Sequence, residues 1–183
     1  TYMTEEGLLS VVAENYTYYG GAHPNSVSRT WSFDLTTGEF LTLDALSSEE
    51  GNINGDSLQT SIYQNIVSQI DGQGLSEAYF DDYDSYLSDF PAFATFYFTA
   101  TGMTVAFDTY IIAPYAAGPQ VFDVPYSVFY SALNERAKTL LEVPQEQIVL
   151  SDFDTAATLW SWLFITTPPT ENTPDEMEIN GYT

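Results

Sequence analysis

A chain of 183 residues that is 44% hydrophobic can bury one compact core, so global disorder is excluded. It carries 26 acidic against 3 basic side chains, a formal charge of −23. That charge is repelled by phosphate backbones and anionic lipid, which argues against nucleic acid and direct membrane-surface partners.

The longest apolar run, 156–165 (AATLWSWLFI), falls well short of the ~20 residues that span a bilayer, so no transmembrane segment is expected in this chain. The sequence has no Cys, which decides little about compartment. It begins at Thr1 without a signal peptide or initiator Met, as expected of a processed or excised piece. A fold of this mass exposes about 8,800 Å², which spaces evenly spread charges about 20 Å apart. The Debye length at physiological salt is about 8 Å, so only local clusters of acids can steer a partner strongly. Cationic proteins, metal ions and neutral glycans remain as partners.

Residues 8–18 and 27–35 read as strands. In the second, Val27, Arg29, Trp31, Phe33 and Leu35 share one face, with Ser28, Thr30, Ser32 and Asp34 on the other. YGGAHPNS between them is rich in turn formers, and Thr37-Gly38 makes a second turn before an extended 40–43. Asp56 is placed to cap a helix over 57–70, with Leu58, Ile62, Ile66 and Ile70 on one face. Residues 76–90 read as an acidic, aromatic helix or loop. Residues 93–99 and 103–107 form a hairpin about Ala100-Thr101-Gly102. An irregular 110–119 leads to a strand over 120–124, ended by Pro125, and 127–141 reads as helix. Pro144 breaks it, and a helix over 154–164 follows, with capping-box spacing at Ser151–Asp154. This order gives an α+β class, a mostly antiparallel sheet with helices packed on one face. The chain divides into an α+β domain over 1–133, a helical extension over 134–165 and a Pro/Thr/Glu-rich tail over 166–183.

His23 is the sole histidine. As a general base it needs a hydroxyl nucleophile in reach, yet no G-x-S-x-G accompanies it, and a role in fixing its turn through backbone carbonyls explains it better. One His and no Cys leave only carboxylates to complete a zinc site, so no metal and no cofactor is expected. Glu50–Asp56 (EGNINGD) partly fits a calcium loop, but the position that needs a bidentate Glu is Ser61, and a polar turn before a helix is the simpler reading. Glu77, Asp81, Asp82, Asp84 and Asp89, five carboxylates in 13 residues, are interleaved with Tyr79, Phe80, Tyr83 and Tyr86. This cluster offers charge for encounter and aromatics for an anchor, or else a solvated helix face whose rings enter the core. Gly20-Gly21 and Ala116-Ala117-Gly118 allow close backbone approach, the second beside Tyr110, Tyr115 and Tyr126, which suits either a groove for a glycan or peptide strand or simply the packing of two loops. The candidate binding residues are therefore Gly21, His23, Asn25, Tyr79, Asp81, Asp82, Tyr83, Asp84, Tyr110 and Tyr115.

Four stretches carry a resemblance: YYGGAHPN (18–25), FDLTTGEFLTLDAL (33–46), FYFTATGMTVAFDTYIIAPYAAG (96–118) and VPYS (124–127). Together they resemble the extracellular domain of unknown function found in bacterial lysozyme-responsive anti-sigma factors and beside the catalytic domain of some peptidoglycan deacetylases. The resemblance covers roughly residues 9–130 and departs at Pro24, where a small residue, usually Gly, is expected. It implies an α+β fold, an extracellular or cell-surface address in a bacterium, and a chain that starts within the smaller module preceding this one. In the anti-sigma branch it implies direct binding of lysozyme. The expected function is a non-catalytic binding or sensing domain for a cationic cell-wall-active protein such as lysozyme. The alternatives are a cell-wall glycan-binding module and, behind it, a hydrolase.

Overall fold

The computed structural model describes residues 1–148 except 53 and 75. The segment opens with four strands, β1 (Tyr2–Met3), β2 (Leu8–Thr17), β3 (Asn25–Asp34) and β4 (Glu39–Phe40), in one antiparallel sheet of that order. β2 and β3 pair along their full length, from Leu8 opposite Asp34 to Thr17 opposite Asn25. A second antiparallel sheet holds β5 (Thr95–Phe98), β6 (Gly102–Phe107) and β7 (Gln120–Pro125). The sheets meet where the backbone N–H of Phe98 donates to Ser10 Oγ at 2.9 Å. The class is the expected α+β, with the strands divided between two sheets.

Helix α1 (Leu43–Leu46) takes up the end of the segment expected to be extended, with Thr42 capping it through Ala45 N–H. Helix α2 (Leu58–Gln73) buries Leu58, Ile62, Ile66 and Ile70, the face its spacing predicts. Its cap is Ser57, which accepts from Thr60 N–H, and not Asp56. Asn52 Oδ1 accepts from the N–H groups of Asn54 and Asp56, so the expected polar turn closes on itself. Among the described residues no cluster of acids and His is arranged to hold a metal. The acidic segment forms a short 3-10 turn at Ser76–Ala78, then α3 (Tyr83–Ser88) and α4 (Phe90–Phe93). The expected helix over 127–141 is divided into α5 (Tyr126–Phe129), a 3-10 turn and α6 (Glu135–Leu141). Asn134 divides it by capping α6 through Ala137 N–H. Helix α7 (Gln145–Ile148) follows Pro144. The expected helix over 154–164, its capping box and the tail lie outside the described residues.

The first sheet is inverted relative to its hydrophobic pattern. On β3 the polar face looks inward: Ser32 is 2% and Asp34 3% exposed, whereas Trp31 on the apolar face is 40% exposed. Apolar side chains ordinarily decide which face of a strand is buried, because each buried CH₂ stabilises by about 0.8 kcal/mol. Here the inward polar groups are all partnered. Ser10 and Ser32 share a hydrogen bond of 2.9 Å. Asp34 accepts from the N–H of Thr36 at 2.8 Å and from Nε of Arg136, on α6, at 2.9 Å. Burial pushes the Asp34 carboxyl up, but the Arg136 guanidinium and the turn N–H groups outweigh it and hold it below the usual carboxylate range. Helix α6 is tied to the same core, with Ala137, Leu140 and Leu141 buried and Leu140 C=O accepting from Thr4 Oγ1 at 2.6 Å.

Candidate binding surface

The far end of the β2–β3 hairpin has no neighbouring strand from the first sheet, since β1 and β4 pair only with its base. Its turn needs backbone that side chains rarely adopt: Gly20 and Gly21 have φ of 88° and 113°. Tyr18 Oη donates to Gly21 C=O at 3.0 Å, which folds the turn back on its own strand. Asn25 sits opposite Thr17, and its carbonyl accepts from the Thr17 hydroxyl. The loop between β6 and β7 reaches over to this hairpin. Tyr115 Oη donates to Pro24 C=O at 2.8 Å, and Ser28 N–H donates to Asp108 Oδ1 at 3.1 Å. Pro24, the departure from the resembled pattern, thus holds the loop through its carbonyl, which no side chain at that position supplies.

His23 and Tyr115 stack with centroids 3.7 Å apart and planes at 21°. Tyr110 completes the cluster, 5.6 Å from Tyr115 and 6.4 Å from His23. His23 therefore fixes the turn through its ring face and not through backbone carbonyls. Tyr110 has φ of 70°, a left-handed conformation that costs a non-glycine residue about 1–3 kcal/mol and concentrates at functional sites. It is exposed, as are Tyr16, Tyr18 and Tyr19 along the same hairpin. An open cleft of about 370 Å³ runs beside the stack, lined by Tyr16, Pro24, Tyr115, Ala117 and Gly118.

The acidic segment, which precedes β5 in sequence, is joined to this loop in space. Phe80 N–H donates to Ile112 C=O at 3.0 Å. Tyr79 Oη donates to Gln120 Oε1 at 3.1 Å, and the Gln120 amide donates in turn to Ala117 and Gly118 carbonyls. Asp81 and Asp82, the next residues after Phe80, are both exposed. Tyr79 and Tyr83 pack against the core with rings 5.3 Å apart, and burial raises the Tyr79 phenol above its ordinary value. Asp84 is engaged by Tyr63, whose hydroxyl donates to it at 2.8 Å. The segment thus presents Asp81 and Asp82 to solvent and uses its tyrosines as support. Gln120 is the linking residue that the sequence reading missed. A polar side chain opening the strand, directly after Gly118-Pro119, was its only signal.

The charge of this surface is not neutralised from within. Arg136 pairs with Asp34 and Lys138 with Glu135, while Arg29 donates only to the carbonyl of Ser28. No helix among the described residues is long and apolar enough to cross a membrane.

The fold is similar to solved structures. A DUF3298 family member from Bacteroides fragilis aligns with a TM-score of 0.56 and 21% identity, over 74% of this chain and 53% of its own. A DUF3298 family protein from Pseudomonas aeruginosa aligns with a TM-score of 0.50 and 17% identity, over 72% of this chain and 57% of its own. The chain thus spans just over half the length of these structures. No curated protein matches the sequence. The family model described as a protein of unknown function, DUF3298, matches residues 51–127, from the loop before α2 to the start of α5.

Proposed function

We propose that this chain is an extracytoplasmic, non-catalytic binding or sensing module whose partner is a cationic cell-wall-active protein such as lysozyme. The observation that carries the proposal is the union of two features far apart in sequence. The Phe80–Ile112 hydrogen bond and the Tyr79–Gln120–Gly118 relay set exposed Asp81 and Asp82 beside the loop of Tyr110 and Tyr115. Exposed tyrosines on a turn-supported hairpin provide large, rigid contact area, and nearby carboxylates steer a basic partner. His23 lies against the Tyr115 ring instead of bridging a hydroxyl and a carboxylate as an acyl-transfer base does, which favours binding over catalysis. The extracytoplasmic address rests on the resemblance to lysozyme-responsive anti-sigma factors. Association with lysozyme should slow at low salt when Asp81 and Asp82 are replaced by Asn, and should weaken at all salts in Tyr110→Ala. An unchanged on-rate in the first variant removes the acidic segment from the account.

A cell-wall glycan is the second reading, favoured by the cleft beside the His23–Tyr115 stack. Muropeptide titration that perturbs Tyr or Trp signals in the wild type and not in Tyr115→Ala would establish it.

A further inference from the structure

The inverted sheet leaves an apolar face looking outward. One row of it crosses all four strands, because Met3 pairs with Leu9, Leu9 with Phe33 and Phe33 with Phe40. Val11 opposite Trp31 forms the next row, and Ala13 opposite Arg29 the one after. Met3 is 63% and Phe40 51% exposed, and Phe33 meets Phe40 edge-on at 5.8 Å between centroids. Contiguous apolar patches of this kind ordinarily mark a surface that something covers. We infer that it is covered by this chain's own segment 156–165 (AATLWSWLFI).

Three observations select that occupant. The first is where the described chain ends. Glu142, at the end of α6, accepts from the N–H groups of Glu5 and Glu6 in the turn joining β1 to β2, and the described chain ends in α7, which packs against α5, the helix whose Tyr126 is hydrogen-bonded to Tyr2 of β1. The second is reach. The run begins eight residues beyond Ile148, and eight extended residues cover about 26 Å, more than the ~14 Å across a four-stranded sheet. In its sequence Ala156, Leu159, Trp160, Leu163 and Phe164 recur at the three- and four-residue spacing of one apolar stripe. The third is charge. Arg29 borders the apolar rows and has no acidic partner among the described residues, while Glu171, Asp175, Glu176 and Glu178 follow the run. A second copy would instead bring a further charge of −23 to the same face.

All three tryptophans, Trp31, Trp160 and Trp162, belong to the two proposed partners, so their emission reports the contact. In the full chain, Val11→Lys and, separately, Phe40→Glu should red-shift tryptophan emission while the circular dichroism spectrum stays native. Both positions lie on the outer face, and Phe40 is on a two-residue edge strand, so neither change opens the core. The chain has no cysteine, which permits a second measurement. Val11→Cys combined in turn with Leu159→Cys and Leu163→Cys should oxidise to an intramolecular disulfide in the monomer, and Gln64→Cys on the exposed side of α2 with the same partners should not. Emission unmoved by both charge substitutions, equal oxidation of the Val11 and Gln64 pairs, or a disulfide-linked dimer would each overturn the inference.

Discussion

Ser10→Ala tests the inverted sheet at its centre. Ser10 is 1% exposed, and its hydroxyl accepts from Phe98 N–H at 2.9 Å and forms a hydrogen bond with Ser32 Oγ at 2.9 Å. The substitution removes few atoms, so its cost is that of stranding two buried polar groups with no route to water. A stranded buried donor or acceptor costs about 1–3 kcal/mol, and since the serine hydroxyl of Ser32 can turn, about 2–3 kcal/mol is expected for the pair. In urea unfolding this appears as a lower midpoint at unchanged slope. Ser32→Ala alone leaves the Phe98 N–H satisfied and should cost about 1 kcal/mol. The double variant should cost little more than Ser10→Ala, because the two share one bond. If Ser10→Ala is neutral, the Ser10 face is not buried and the inversion of the sheet is refuted.

Four further outcomes are expected. Gly102→Ala should unfold the second sheet or nearly so, since a Cβ there meets Val124 C=O and Pro125 Cα of β7 at 2.1 and 2.8 Å, whereas Gly72→Ala in α2 meets open space and should stabilise by about 0.5–1 kcal/mol in the same denaturation assay. Asp34 has a lowered folded pKa, so its stabilisation is full above the unfolded value of about 3.9 and is lost as pH falls through the folded value. Asp34→Asn should therefore lower stability at neutral pH and flatten the acid limb of a stability–pH curve. Tyr110→Gly should raise the thermal midpoint by releasing a left-handed φ while weakening partner binding, and a variant that does neither contradicts a functional reason for that strain.

Much of the fold was legible in local signals. The four-residue spacing in α2, the two hairpins and the strand ended by Pro125 depend on neighbours in sequence, and they fold as their patterns direct. The burial face of β3 was not legible. Alternation reports that two faces differ, and the choice between them fell to partners 22 and 102 residues away, Ser10 and Arg136. The α1 helix was missed because Thr42 caps it from within a segment whose Phe, Leu and Thr favour strand. At the candidate site, His23, Tyr110 and Tyr115 were each visible as residue types beside small residues. Their stacking was not, because it depends on Pro24 C=O receiving the Tyr115 hydroxyl across 91 residues. The acidic segment was likewise visible as a cluster, but its division into exposed Asp81 and Asp82 and supporting tyrosines depends on Gln120 and Ile112.

The central claim, a binding surface made of aromatic anchors with an acidic border, is tested most directly by calorimetry against lysozyme at low and physiological salt, with an equally basic unrelated protein as control and Tyr115→Ala as the site variant. The account predicts binding to lysozyme alone that survives physiological salt and is lost in Tyr115→Ala. Binding to both basic proteins that disappears as salt is raised, equal in wild type and variant, would contradict it and reduce the charge of −23 to a non-specific attractor.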